Sequence, residues 1–195
     1  MAEHNPVLHT PLQHATFHGA GVVIGENLFC AKVIVRGNFD DAQLTSRLSE
    51  KTGLPVNVAA NTFVENDSAA VFWLGPDERM IYSYVKDPQV LSAELRSLLP
   101  AGRSSAVDVS DYYTTIRLAG VNARSVLSAG TPFDVHESNF PEGSCVQTRF
   151  GTASVMLVMQ DPSPAFDIQV RWSFADYVWR YLRRVAEFRT LTAQG

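Results

Sequence analysis

The chain has 195 residues, 46% of them hydrophobic and 18% charged, with a net charge of −4 and an isoelectric point near 5.7. This is enough apolar material for one core or two joined halves, and the weakly acidic balance offers no broad basic field for a phosphate backbone. Apolar stretches fall far short of the roughly 20 residues of a membrane-spanning helix. Met1 to Gly25 holds no basic segment leading into an apolar one, so a cytoplasmic protein is expected.

Residues 1–26 read as an N-terminal arm carrying His4, His9, His14 and His18. Only the last pair has the i, i+4 spacing that brings two imidazoles together on a helix, and Pro6, Pro11 and Gly19 oppose a helix there, so solvated histidines are expected rather than a metal site. Gly19, Gly21 and Gly25 are spaced Gly-x-Gly-x-x-x-Gly, with no strand before them and no helix at the third glycine, which argues against a dinucleotide loop.

A strand is expected over about Leu28 to Arg36, then a helix from about Asp40, its cap, to Thr52 with Leu44 and Leu48 inward. The apolar run Val71-Phe72-Trp73-Leu74 stops at Gly75-Pro76-Asp77 and restarts at Met80 to Val85, the signature of two antiparallel strands around a tight turn. A helix over Pro88 to Leu99 follows, with Pro88 tolerated in the first turn and Leu91, Leu95, Leu98 and Leu99 inward.

After the polar stretch from Pro100 to Ser105 the order recurs. A short strand at Val107 to Val109 leads into Thr114 to Leu118, a helix spans Val121 to Ser128, and strands follow near Ala153 to Met159 and Phe166 to Val170. The last helix runs from Ser173 to about Phe188, with Ser173 as its cap and Phe174, Val178, Tyr181, Leu182, Val185 and Phe188 as one apolar stripe. The expected class is α+β: a single domain over 27–190, with a tail at 191–195. It is built as two pseudo-repeated strand-helix-strand-strand-helix halves, about 27–100 and 106–190, whose antiparallel or mixed sheets carry packed helices.

Candidate chemistry is sparse. Cys30 and Cys145 lack a Cys-x-x-Cys or zinc spacing and read as free buried thiols. Asp108, Ser110 and Asp111 fit an Asx-type turn, and Asp134, His136 and Glu137 fit a surface loop better than an acid-base group. There is no phosphate loop and no nucleophile elbow. No residue is assigned as catalytic, cofactor-binding or metal-ligating.

Several segments, in order, carry a family resemblance: Val33-Ile34-Val35-Arg36-Gly37 with Gly53-Leu54-Pro55, Trp73-Leu74-Gly75-Pro76-Asp77-Glu78, Val107-Asp108-Val109-Ser110, Leu118-Ala119-Gly120 with Ala123 and Leu127, and Phe166-Asp167-Ile168 ahead of Ser173-Phe174-Ala175-Asp176-Tyr177-Val178-Trp179. Across roughly Leu28 to Phe188 the chain resembles the gamma subunit of heterotetrameric sarcosine oxidase, a relative in fold of the folate-binding aminomethyltransferases. The family tends to place an arginine directly before the serine of the last helix; here Trp172 holds that place and Arg171 precedes it.

The resemblance implies an accessory role without an active site of its own. The alpha subunit, with an aminomethyltransferase-like folate domain, would bind NAD and tetrahydrofolate. The beta subunit would hold FAD and, with alpha, a covalent FMN. The complex would oxidise sarcosine, pass its one-carbon unit to tetrahydrofolate and reduce oxygen to hydrogen peroxide. The alpha and beta subunits are the expected partners, with docking on the folate domain of alpha through Arg171, Trp172, Trp179 and Arg180 as exposed anchors, since Trp and Arg are enriched in interface hot spots. Two alternatives stay open: a gamma-type subunit of a related N-methyl amino acid dehydrogenase, and a stand-alone folate-binding or aminomethyl-transferring domain. The latter needs an acidic residue in a central pocket, and the sequence alone does not place one.

Overall fold

The computed structural model describes residues 10–192 apart from Ala20, Arg103 and Pro162, with side chains as far as Phe188. Strands β3 (Ala31–Arg36), β4 (Phe63–Glu65), β5 (Ala69–Gly75), β6 (Glu78–Ser83) and β7 (Ser105–Asp108) form a five-stranded sheet in the order β4-β5-β6-β3-β7. A six-stranded sheet holds β1 (Thr16–Gly19), β2 (Val22–Glu26), β8 (Tyr113–Ala119), β9 (Cys145–Phe150), β10 (Ala153–Asp161) and β11 (Ala165–Arg171), in the order β1-β2-β8-β11-β10-β9. All the pairings described are antiparallel.

Helices α1 (Ala42–Thr52) and α2 (Pro88–Leu98) cover the outer face of the five-stranded sheet, and α3 (Ala123–Ser128) and α4 (Trp172–Thr192) that of the other. The inner faces meet across an apolar layer that includes Phe72, Met80 and Tyr82 from one sheet and Met156 and Val158 from the other. Period-2 alternation sorts the side chains. In β10, Val155, Leu157 and Met159 turn to the helices while Met156 and Val158 turn to the opposing sheet.

The hairpin expected around Gly75-Pro76-Asp77 is present, with Val71 opposite Ile81, Phe72 opposite Met80 and an irregularity between Trp73 and Gly75. Two connections differ from the expected order. From residue 16 onward the expected arm contributes β1 and β2, which extend the second half's sheet by pairing β2 with β8. Conversely β7, read as opening the second half, pairs with β3 on the first half's sheet. Each half thus lends strand to the other, because the unpaired edges of β3 and β8 are completed by the nearest extended chain.

The helix caps also shift. Asp41, not Asp40, caps α1, its carboxylate accepting from the Gln43 and Leu44 amides at 2.9 and 3.4 Å. Asp40 instead donates its own amide to Asn38 Oδ1. Helix α4 begins at Trp172, directly after β11, so Ser173 lies inside it. Its buried face is Ala175, Val178, Trp179, Leu182 and Ala186, offset from the expected stripe, and Phe174 and Phe188 are 37% and 65% exposed. Small alanines let the helix lie close to the sheet, a contribution that ranking by side-chain hydrophobicity overlooks.

Gly120 follows β8 with φ +121, and a Cβ there would lie 2.3 Å from the Gly21 carbonyl oxygen, where the β1–β2 turn meets the start of α3. Gly120→Ala is expected to destabilise the chain by about 2 to 3 kcal/mol, measured as a lowered urea midpoint. An unchanged midpoint would show that the backbone yields at no cost.

Candidate functional site between the sheets

The inner face of the six-stranded sheet is not uniformly apolar. Along β11, Phe166, Ile168 and Val170 enter the helix-side core, which leaves Asp167 and Gln169 on the face toward the other sheet. Along β8 the same alternation directs Ile116 and Leu118 to the helices and Thr115 and Arg117 inward. The register places Asp167 directly opposite Arg117 and Gln169 opposite Thr115. These four side chains line a cavity of about 300 Å³ between the sheets. The opposing sheet contributes Phe72, Tyr82, Tyr84 and Glu65, and the β2–β3 connection contributes Asn27, Leu28 and Cys30.

Asp167 is the chemical centre of this cavity. It is 8% exposed, and its Oδ2 accepts from the side-chain amides of Asn27 and Gln160, each at 3.2 Å, while Oδ1 meets Arg117 at 3.4 Å. Burial pushes its carboxyl above the ordinary carboxylate range, against the opposing pull of Arg117 and the two amide donors. Gln169 is buried and donates to the Tyr82 phenol oxygen at 2.5 Å. Desolvation holds the Tyr82 phenol far above its usual range. The Thr115 hydroxyl sits beside that phenol, yet it is fully buried and meets no partner at hydrogen-bonding geometry among the described residues. At the rim, the Tyr84 hydroxyl donates to Glu65 at 2.5 Å.

Next to the cavity lies a buried cation. Lys32 is 2% exposed, donates to the Cys30 carbonyl at 3.2 Å and stands 5.3 and 5.4 Å from the Phe29 and Tyr82 ring centroids. Burial lowers its affinity for the proton and raises that of the Cys30 thiol.

Sequence reasoning missed Asp167 as a site residue. The available signal was the strict alternation Phe166-Asp167-Ile168-Gln169-Val170 beside Thr115-Ile116-Arg117-Leu118: two strands whose second faces are polar although both are apolar on the first.

The residues singled out from sequence are dispersed. Trp179 is not an exposed anchor: it is 9% exposed and part of the core beneath α4. Trp172 is half-buried, and its amide donates to the Tyr112 carbonyl at 3.1 Å. Arg171 is exposed, with its guanidinium 5.3 Å from the Tyr112 ring centroid. Arg180 is exposed and pairs with Asp176 at 2.9 Å. Asp108 and Ser110 form the expected local turn, Ser110 donating to Asp108 Oδ1 through both amide and hydroxyl. Asp134 accepts from the amides of His136 and Asn139 rather than meeting the imidazole, and these bonds hold its carboxyl below the usual range.

Cys145 is buried and its thiol is pushed up to about 12 by desolvation. His4 and His9 lie outside the described residues. The His14 amide donates to the buried Glu26, and His18 stands on β1 opposite Val23. Among the described residues no group of three or more His, Cys, Asp or Glu is arranged to hold a metal ion, and no helix is long and apolar enough to cross a membrane.

Two outcomes test these assignments. Trp179→Ala should cost about 3 to 5 kcal/mol of stability, read from chemical denaturation of the chain; a change below about 1 kcal/mol would contradict its place in the core. Asp167 holds its proton more tightly when folded than when unfolded, so its contribution to stability is complete below the ordinary value of 3.8 and is lost as pH rises through the native value. Asp167→Asn removes that loss. The stability of the variant relative to the parent should therefore improve as the pH rises above the ordinary value of 3.8, and a pH-independent difference would show an unshifted carboxyl.

The model of the sarcosine oxidase gamma subunit family matches residues 36–187. The sarcosine oxidase subunit gamma of Corynebacterium sp. (strain P-1) is 28% identical over 193 residues, spanning 93% of this chain and 91% of the relative. That of an Arthrobacter species is 28% identical over 167 residues, 84% and 73% of the two chains. In fold, a chain of the heterotetrameric sarcosine oxidase from Corynebacterium sp. U-96, solved in complex with pyrrole 2-carboxylate, superposes with a TM-score of 0.81 at 20% identity, covering 93% of this chain and 96% of that one. The glycine cleavage system aminomethyltransferase T from Bartonella henselae superposes at 0.65 with 13% identity, over 90% of this chain but 57% of the aminomethyltransferase.

Proposed function

The chain belongs to the sarcosine oxidase gamma subunit family, and from that premise we propose that it is the non-catalytic gamma subunit of a heterotetrameric sarcosine oxidase. The observation that carries this reading is end-to-end correspondence: the match to a gamma subunit takes in 93% of this chain and 91% of the relative, so the whole chain, and not a module of it, answers to a gamma subunit. The complex would oxidatively demethylate sarcosine to glycine, transfer the one-carbon unit to tetrahydrofolate and produce hydrogen peroxide. FAD, FMN, NAD and tetrahydrofolate would reside on the alpha and beta subunits.

Docking is proposed at the start and exposed face of α4. Arg171 and Arg180 are exposed and Trp172 is half-buried, a combination of charge and partly covered aromatic surface that suits an interface rim and anchor. Trp179 contributes only by holding the helix in place. The buried carboxylate of Asp167 is the acidic pocket residue that a stand-alone folate-binding domain would require, and the gamma-subunit reading leaves it without a role.

Purification of the tagged chain from its source cells, with mass spectrometry and an absorption spectrum, tests the assembly. Two larger co-purifying subunits and a flavin spectrum are expected, and the paired change Trp172→Ala and Arg180→Ala should reduce their recovery while leaving the chain folded. A lone colourless chain would overturn the reading. The same complex turning over another N-methyl amino acid, with no activity on sarcosine, would move it to a dehydrogenase of related type.

A further inference from the structure

We infer that the cavity between the sheets is a binding site for a small organic cation, an ammonium or amidinium group held by Asp167 against an aromatic wall. This stands on the cavity alone and is independent of the assembly reading.

The carboxylate is buried, and its charge is only partly offset. Two of its partners are neutral amides, and the third, Arg117, meets it at 3.4 Å with a side chain 43% exposed to water, which screens that pairing. A carboxylate can accept at about four lone-pair positions, so capacity remains for a charged donor entering the cavity. Thr115 supplies an independent sign. Its residue is 8% exposed and its hydroxyl, on the cavity wall beside the Tyr82 phenol, meets no partner at good hydrogen-bonding geometry among the described residues, an arrangement that costs stability unless a closer partner satisfies it.

The remaining surfaces favour positive charge. Phe72 and Tyr82 pack with centroids 4.8 Å apart, and Tyr84 follows at 6.4 Å from Tyr82, so aromatic rings form a continuous wall. Ring faces attract cations within about 6 Å, and Lys32, which does not line the cavity, already uses the Tyr82 ring in this way at 5.4 Å. Glu65 at the rim adds a second carboxylate, accepting from Tyr84. An anion would meet both carboxylates, with Arg117 on the lining already paired to Asp167, and a neutral apolar group would bring no donor to the remaining acceptor position of Asp167 and no partner to Thr115.

Benzamidinium, benzamide and benzoate share a shape and differ in charge, so calorimetric titration of the full chain with each separates charge recognition from simple filling of the space. Benzamidinium should bind saturably and at least about ten-fold more tightly than benzamide, with no benzoate binding. Asp167→Asn should weaken benzamidinium by about ten-fold or more and Thr115→Val by about three-fold. Because Asp167→Asn rearranges a buried network, Glu65→Gln provides a rim variant that leaves that network intact. It should weaken benzamidinium several-fold with an unchanged circular dichroism spectrum. Equal binding of benzamidinium and benzamide, or affinity indifferent to both Asp167→Asn and Glu65→Gln, would overturn the inference. So would no binding, which would leave the cavity to water, or Asp167-dependent binding of tetrahydrofolate without benzamidinium binding, which would assign it to folate.

Discussion

The structure depends on two places where the chain crosses from one sheet to the other. Residues 27–30 carry it from β2 in the six-stranded sheet to β3 in the five-stranded one, and residues 109–112 carry it back from β7 to β8. Each crossing is tied to a strand by a backbone hydrogen bond, the Asn27 amide donating to the Thr115 carbonyl in β8 and the Val109 amide to the Lys32 carbonyl in β3, each at 2.9 Å. The chain passes twice between the sheets through four-residue connections, which tether them closely, and the apolar layer between their inner faces packs one against the other.

The cavity arises at the same crossings. Where β10 faces β5 and β6, Met156, Val158, Phe72 and Met80 fill the space between sheets. Toward the crossing at 27–30, β8 and β11 present Thr115, Arg117, Asp167 and Gln169 instead. A buried carboxylate in that position lowers folding stability compared with an apolar side chain of similar size. Amide donors from Asn27 and Gln160, on two other segments, reduce that penalty, so the polar cluster is a shared product of the crossing segment, the central strands and β10.

Partner recognition and the cavity occupy different layers. Helix α4 is on the outside of the six-stranded sheet, and its inward face is committed to the core through Val178, Trp179 and Leu182. Its outward face carries Arg180 and Arg183, each paired within the helix to an acid four residues away. Such exposed pairs contribute little stability and exchange partners readily. The Asp167 cluster is separated from this face by the full thickness of a sheet, since Phe166 and Ile168 between them belong to the helix-side core.

Much of the architecture was legible in local sequence. Helices and strands follow from periodicity, the β5–β6 hairpin from an apolar run broken at Gly75-Pro76-Asp77, and the helix-sheet cores from leucines spaced by three and four. The family was legible too, because short segments recur in order along the chain. What sequence alone did not determine was which edge each short strand completes. The pairing of β2 with β8 and of β7 with β3 depends on where two sheets come to lie, and backbone hydrogen bonding carries no side-chain signature of its partner. For the same reason Asp167 read as one polar residue in a strand and Trp179 as an exposed anchor. The opposing sheet turns the first into the centre of a cavity, and the underlying sheet draws the second into the core. Local patterning sets which face of a strand or helix is apolar; only tertiary packing decides what that face meets.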